Sequence, residues 1–143
     1  MTVEYRIADK KDLKQLVSKI KKAEFNPLSS LESKSVEYDL KNNKLKDYLV
    51  AVEKNKVLGF ARFKKMSEER THIGIFSIHK EHRYKGIGKE LLKNIEQKTN
   101  TSHLTVGTYS PRSVEWFTKQ GFELKAEKKM HPELKVSMLE KRL

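Results

Sequence analysis

The stretch that most constrains what this chain can fold into runs from His72 to Lys98, HIGIFSIHKEHRYKGIGKELLKNIEQK. It begins with an apolar, β-branched run, Ile73, Ile75, Phe76 and Ile78, which has the character of a buried strand. A basic loop follows, and Gly86 and Gly88 sit where a helix should begin. Ile87, Leu91 and Ile95 then recur at intervals of four and form one apolar helical stripe. A strand, a glycine-containing turn and a helix N-terminus in succession make a place to hold phosphate. The first helical turn has N–H donors without intrahelical partners and a partial positive charge, and glycine lets backbone approach an oxyanion closely. Lys80, Arg83, Lys85 and Lys89 add formal charge. The segment reads as a cradle for a pyrophosphate.

The remaining segments supply what such a unit packs against. Val3 to Ala8 reads as a first strand. Asp9, with Asp12 three residues on, can cap a helix in which Leu13, Leu16, Val17 and Ile20 face inward, and Asn26-Pro27 breaks that helix. Ser29 to Asn43 suggests a second helix capped by Ser30, with Leu31, Val36 and Leu40 inward. Tyr48–Val52 and Val57–Phe63, joined by a tight polar turn at Glu53 to Lys56, form an antiparallel hairpin. Gly59 marks either a bulge or close packing. Met66 to Arg70 leads into the motif strand. After the motif helix, His103–Val106 is a strand, and the strand–helix–strand connection implies parallel pairing with a right-handed crossover. Ser110-Pro111 starts a further helix, with Val114 and Phe117 inward and Gly121 as its stop. Phe122–Lys128 and Glu133–Glu140 form a closing hairpin around Met130-His131-Pro132. The predicted order is β-α-α-β-β-β-α-β-α-β-β.

A length of 143 residues suits one domain spanning residues 1–143. No apolar run reaches the ~18 residues of a membrane span, so neither a membrane protein nor a secretory leader is expected. Without cysteine there are no disulfides, no thiolate metal sites and no cysteine nucleophile. The histidines form no HExxH, and no metal is expected. The net charge of +12 is divided evenly between the two halves of the chain, as on a lysine-rich surface rather than a nucleic-acid tail. A basic nucleic-acid-binding domain is the rival reading. Against it stand the lack of a helix–turn–helix spacing and of aromatics interleaved with the basic clusters.

Arg83-Tyr84-Lys85-Gly86-Ile87-Gly88 resembles the R/Q-x-x-G-x-G/A signature of the GNAT (GCN5-related N-acetyltransferase) superfamily. The resemblance covers about Asp47 to Phe122 well and the two ends by pattern. It implies an α/β fold of the α+β type, a mixed, mostly antiparallel sheet of about six or seven strands flanked by about four helices. It also implies an N-acetyltransferase that moves an acetyl group from acetyl-CoA to an amine by direct attack in a ternary complex. Such an enzyme would be cytoplasmic, without a metal, and a monomer or homodimer. Carried over by position, backbone amides of Arg83, Tyr84, Lys85, Gly86, Ile87, Gly88 and Lys89 would hold the pyrophosphate. Phe76, Ser77 and Ile78 would run beside the pantetheine arm, which pairs with strand backbone in that family. The thioester would lie near residues 74–77 and 106–110.

The family's second motif commonly reads N-x-x-A…Y-x-x-x-G-F. Here it is Ser110-Pro111-Arg112-Ser113…Phe117-Thr118-Lys119-Gln120-Gly121-Phe122. Ser110, Arg112 and Ser113 are the cofactor-binding candidates, and phenylalanine replaces the tyrosine that commonly protonates the leaving thiolate. Tyr109 is the nearest substitute. The departure leaves open a CoA-binding module without turnover.

Direct acyl transfer needs a neutral amine, a way to remove its proton and a donor for the thioester carbonyl. Strand alternation puts His72, Gly74 and Phe76 on one face. His72 lies one step before the position where the family often carries a strand glutamate, and it is the candidate base, a structural role being the alternative. His79 and His82 read as phosphate neighbours or solvent-exposed. Glu32, Glu37, Tyr38 and Asp39 are candidates for acceptor contact, each otherwise part of a solvated helix face.

Overall fold

The computed structural model describes residues 2–25, 30–131 and 134–143. Its elements are β1 (Glu4–Ile7), α1 (Lys10–Lys21), α2 (Ser30–Lys41), β2 (Tyr48–Glu53), β3 (Lys56–Lys65), β4 (Arg70–Ile78), a 3-10 turn (Lys80–His82), α3 (Ile87–Thr99), β5 (His103–Thr108), α4 (Pro111–Lys119), β6 (Glu123–His131) and β7 (Leu134–Arg142). The order is the one expected, with the short 3-10 turn added. The strands form one seven-stranded sheet ordered β1-β2-β3-β4-β5-β7-β6. β4 and β5 pair in parallel, while β1–β2, β2–β3, β5–β7 and β6–β7 are antiparallel. Asn26-Pro27, Ser29 and Pro132 fall outside the described residues, as does the inward position expected for Leu31.

Contacts divide the chain into two compact units, Met1–Phe63 with Ile75–Ile95 and Lys64–Gly74 with Glu96–Leu143. In the first unit, α1 opens on the expected capping box. Asp9 accepts from the Asp12 amide at 2.9 Å, and the Asp12 side chain accepts from the Asp9 amide at 2.8 Å. Arg6 adds an ion pair to the buried Asp12. Leu13, Leu16, Phe25, Val36, Tyr48, Val50, Phe60 and Ile75 make one apolar cluster. Ala51, Leu58 and Ile87 make another, with Tyr5 and Ile78 against it.

The β2–β3 hairpin turns on Lys54 and Asn55, both at positive φ (48° and 64°). Two consecutive left-handed residues match the twist of an antiparallel ribbon. The bulge lies beside Gly59: Ala51 pairs with Gly59 and Val52 with Val57, which leaves Leu58 as the extra residue. Close packing is also present, because a Cβ on Gly59 would lie 2.7 Å from Ile78 Cδ1 and 3.3 Å from Ile87 Cγ2. The glycine lets β3 approach the two residues that bracket the basic loop.

In the second unit, α4 is framed as its sequence requires. Ser110 is the N-cap, with its hydroxyl accepting from the Ser113 amide at 3.4 Å, and Pro111 opens the helix. At the other end the Gly121 amide donates to Thr118 and the Phe122 amide to Phe117. With Gly121 at φ 97°, this is a Schellman closure, and its usual apolar contact is Phe117 against Phe122, ring centroids 5.2 Å apart.

Candidate active site

In the first unit the basic loop is shaped by its own backbone. Tyr84 (φ 65°) and Gly86 (φ 81°) are both left-handed, a conformation that glycine adopts without penalty and tyrosine at a cost of about 1–2 kcal/mol. Tyr84 is 87% exposed, and strained backbone of this kind gathers at ligand-binding turns. α3 begins at Ile87, one residue earlier than the glycine pair alone indicated, which places Gly88 inside its first turn. The Gly86 carbonyl accepts from Glu90 at 3.2 Å. The amides of Ile87, Gly88 and Lys89 therefore precede the helical ladder and point out of its N-terminus. A Cβ on Gly86 would meet nothing within 4 Å. The space over the turn is open, and the backbone there can be approached directly.

His79 departs from one expectation: it is not solvent-exposed but 2% accessible. Its ring accepts from the Glu81 amide at 3.1 Å and so caps the 3-10 turn. Nε2 lies 3.6 Å from the Glu24 carboxylate, and the ring meets Phe25 and His82 edge-on at 5.5 and 5.2 Å. Its backbone amide donates to Leu58 at 2.8 Å, and the Lys80 amide donates to Glu24 at 3.0 Å. His79 thus pins the start of the loop to the bulged strand β3 and to the chain just after α1. The signal was in the alternation, since 73, 75 and 77 form the buried face of β4 and 79, just past its end, keeps the same parity. His82 is held below its ordinary pKa by burial and then by Lys85, whose ammonium lies 3.4 Å from its Nδ1.

On β4 burial alternates as predicted, with Ile73, Ile75 and Ser77 inside and Phe76 and Ile78 half-exposed. The Ser77 hydroxyl is buried without a hydrogen-bond partner, so what Ser77 offers toward a ligand on the other face is backbone.

In the second unit, paired β4–β5 residues run from Arg70 with His103 to Ile73 with Val106. His72 stands opposite Thr105, and its Nδ1 is 2.8 Å from the Thr105 hydroxyl. Burial first, and Arg70 second, hold its pKa below the ordinary 6.5. The imidazole is therefore neutral at neutral pH and pinned through Nδ1; in the tautomer in which Nδ1–H donates to Thr105, Nε2 is the nitrogen that can accept a proton. Tyr109 follows β5 directly and is half-buried. Ser110 and Ser113 spend a hydroxyl and an amide on capping α4, while Arg112 is exposed on its first turn. Phe117 is 3% accessible and sits between Trp116 and Phe122, 5.0 and 5.2 Å away. It is a core residue, which accounts for the missing hydroxyl.

The sequence profile of the acetyltransferase (GNAT) domain matches residues 12–139. The chain belongs to that family. This GNAT domain also shares its fold with solved structures across essentially its whole length. An acetyltransferase described as of the GNAT family, from Desulfovibrio desulfuricans, superposes with TM-score 0.83 at 12% identity, covering 99% of both chains. The PaiA N-acetyltransferase of Thermoplasma acidophilum, solved in complex with coenzyme A, gives 0.70 at 20% identity over 100% of both. The ribosomal-protein-alanine N-acetyltransferase of Brucella melitensis gives 0.72 at 20% identity, covering 98% of this chain and 99% of that one. At such identities the likeness is one of fold. No curated protein matches the GNAT domain by sequence. Among the described residues no helix is long and apolar enough to cross a membrane.

Among the four acceptor candidates on α2, Glu37 pairs with Lys21 at 3.4 Å. Tyr38 is 56% exposed and Asp39 only 1%. Asp39 is not part of a solvated face: it accepts from the Tyr48 hydroxyl at 2.7 Å and from Arg62 Nε at 2.6 Å. Burial and Asp39 raise the Tyr48 pKa well above its ordinary 10, so Tyr48 remains a donor. No local sequence signal announces this triad, because its members are joined only by folding.

Proposed function

We propose that the chain is a one-domain N-acetyltransferase, residues 1–143, that transfers the acetyl group of acetyl-CoA to an amine by direct attack. The observation that carries this reading is the cradle, a left-handed glycine at the mouth of α3 with open space above it. Backbone amides from Arg83 to Lys89 hold the pyrophosphate, with Lys80, Lys85 and Lys89 adding charge. Backbone of Phe76, Ser77 and Ile78 lies along the pantetheine arm. Arg112 adds charge on the first turn of α4, where the capping roles of Ser110 and Ser113 fix the helix start. The fold neighbour solved with coenzyme A supports the choice of cofactor.

Two side chains carry the proton chemistry. His72 is the base that takes the proton of the attacking amine, because its ring is neutral at working pH and oriented by Thr105. Tyr109, directly after β5, is the donor we assign to the departing thiolate. A thiol has an ordinary pKa of about 8.5, so the thiolate can also take its proton from solvent. Such an enzyme works in the cytoplasm as a monomer or homodimer. The acceptor is a small molecule or a protein amine.

The test is acetyl-CoA binding by calorimetry, followed by release of free CoA with a panel of amines and peptides. Binding with release in the presence of one amine class supports the proposal. Binding with no turnover across the panel would make the chain a CoA-binding module. Tight duplex-DNA binding at moderate salt without acetyl-CoA binding would return it to the nucleic-acid reading.

A further inference from the structure

One cavity among the described residues lies away from the cradle. It is open, with a volume of about 290 Å³, and is lined by Lys34, Ser35, Tyr38, Asp39 and Arg62. The first four come from α2 and Arg62 from β3, the strand beside β4 in the sheet. Neighbouring strands lie about 5 Å apart, so the cavity is one strand removed from the β4 residues assigned to the acetyl-CoA arm.

One buried atom at this cavity lacks what its chemistry requires, and two cations stand beside it. Asp39 is 1% accessible; its Oδ2 takes both Tyr48 and Arg62, and its Oδ1 is buried with no donor. A buried carboxylate oxygen left unpaired is costly, and native structures rarely keep one without a partner. Arg62 uses only Nε on Asp39, and both Nη groups are unpartnered among the described residues. Lys34 makes no ion pair there either. With one carboxylate against two cations, the cavity is positive overall. It therefore selects an anion, and beside that anion the orphaned Oδ1 selects a donor. The planar Arg62 fork, fixed through Nε, suits a carboxylate better than a spherical ion.

Resting on the acetyltransferase reading, we propose that this cavity binds the free carboxylate of an amino-acid or short-peptide acceptor. The carboxylate pairs with the Arg62 Nη groups and Lys34, and in a peptide acceptor the amide N–H next to the carboxylate donates to Asp39 Oδ1. Tyr48 and Asp39 are positioning residues that hold the guanidinium in place. On this proposal α2 and β3 favour carboxylate-bearing amines and disfavour polyamines.

Two measurements test this on the intact chain. The arginine Nε–H signals, from 15N-labelled protein without acetyl-CoA, are followed on titration with glycylglycine and with glycylglycinamide. Saturable movement of the Arg62 signal by the acid and not by the amide is expected; equal movement by both, or none, overturns the proposal. With acetyl-CoA present, kcat/KM for glycylglycine should exceed that for the amide. Lys34→Ala and Arg62→Gln should each raise KM for the acid by about tenfold, the loss of one charge-assisted hydrogen bond. The preference for the acid over the amide should shrink accordingly, with acetyl-CoA affinity unchanged. Arg62→Gln strips a buried carboxylate of its cation, so the exposed Lys34→Ala is the variant that decides if the first does not fold. Unchanged discrimination in folded Lys34→Ala overturns the proposal. If acetyl-CoA itself does not bind, the enzymatic reading fails, while the titration still judges the cavity.

Discussion

Replacing Gly86 with alanine and with glutamate separates backbone strain from charge at the cradle. Gly86 stands at φ 81° with nothing within 4 Å of a built Cβ, so neither substitution meets a clash. Holding an L-residue in that conformation costs about 1–2 kcal/mol. That is small beside the ~5–15 kcal/mol by which domains are stable, so both variants should fold. If the loop relaxes to escape the strain, re-forming the cradle consumes at most that energy, and Gly86→Ala should lose about 5- to 30-fold in acetyl-CoA affinity. Glutamate adds a charge. At ~6 Å and an effective dielectric of ~20, one unit charge repels another by about 3 kcal/mol. Two pyrophosphate charges double this, and screening at an exposed turn removes about half. Gly86→Glu should therefore lose about 100-fold more than Gly86→Ala. Calorimetry at low and high salt reads the two contributions, since only the charge part shrinks with salt. A folded Gly86→Glu that binds acetyl-CoA like the parent would refute the cradle assignment. Equal, salt-independent losses in both variants would refute the electrostatic reasoning.

Gly59→Ala should cost about 1–3 kcal/mol of stability by overpacking, because its Cβ would press on Ile78 and Ile87; it should also weaken acetyl-CoA binding, and unchanged thermal stability would contradict the close-approach reading. His72→Ala should lower turnover about 100-fold at neutral pH with acetyl-CoA affinity kept. Because its folded pKa lies below 6.5, the acid limb of the wild-type kcat/KM profile should fall below that value. By the same sign, the stability that neutral His72 contributes is complete above the unfolded pKa and is lost as pH falls through the folded one; a wild-type profile in the mutant would leave His72 structural. Tyr109→Phe should lower turnover about 100-fold if its hydroxyl protonates the thiolate and should be nearly silent if solvent does. Phe117→Tyr should lose about 1–3 kcal/mol by burying a hydroxyl among Trp116 and Phe122, checked by denaturant unfolding, and should not restore an acid.

The parts of this fold that the sequence announced are those encoded within a few residues. Asp9 and Asp12 close a capping box four residues long, Ser110-Pro111 and Gly121 bound α4, and the spacing of Ile87, Leu91 and Ile95 marks one face of α3. Each is a local bargain between backbone donors and nearby side chains, and each can be read without knowing what lies across the sheet. The cradle belongs to this class, since glycine, helix start and flanking cations are consecutive. Strand ends were less legible because their pairing is supplied from elsewhere: β3 extends to Lys65 and β7 to Arg142, past the point where alternation is clear.

His79 and Asp39 show where local reading stops. Both are polar, and both sit in segments rich in charge, so composition assigns them to solvent. Their burial is decided by partners distant in sequence, Leu58 and Glu24 for His79, Tyr48 and Arg62 for Asp39. A buried polar group needs partners in place before its desolvation is tolerable, and only the assembled sheet supplies them. The chemistry of the acceptor is therefore the least legible property of this chain. Acetyl-CoA can be held by backbone amides that a short motif specifies, whereas the carboxylate site proposed for the acceptor draws on side chains that α2 and β3 bring together only on folding.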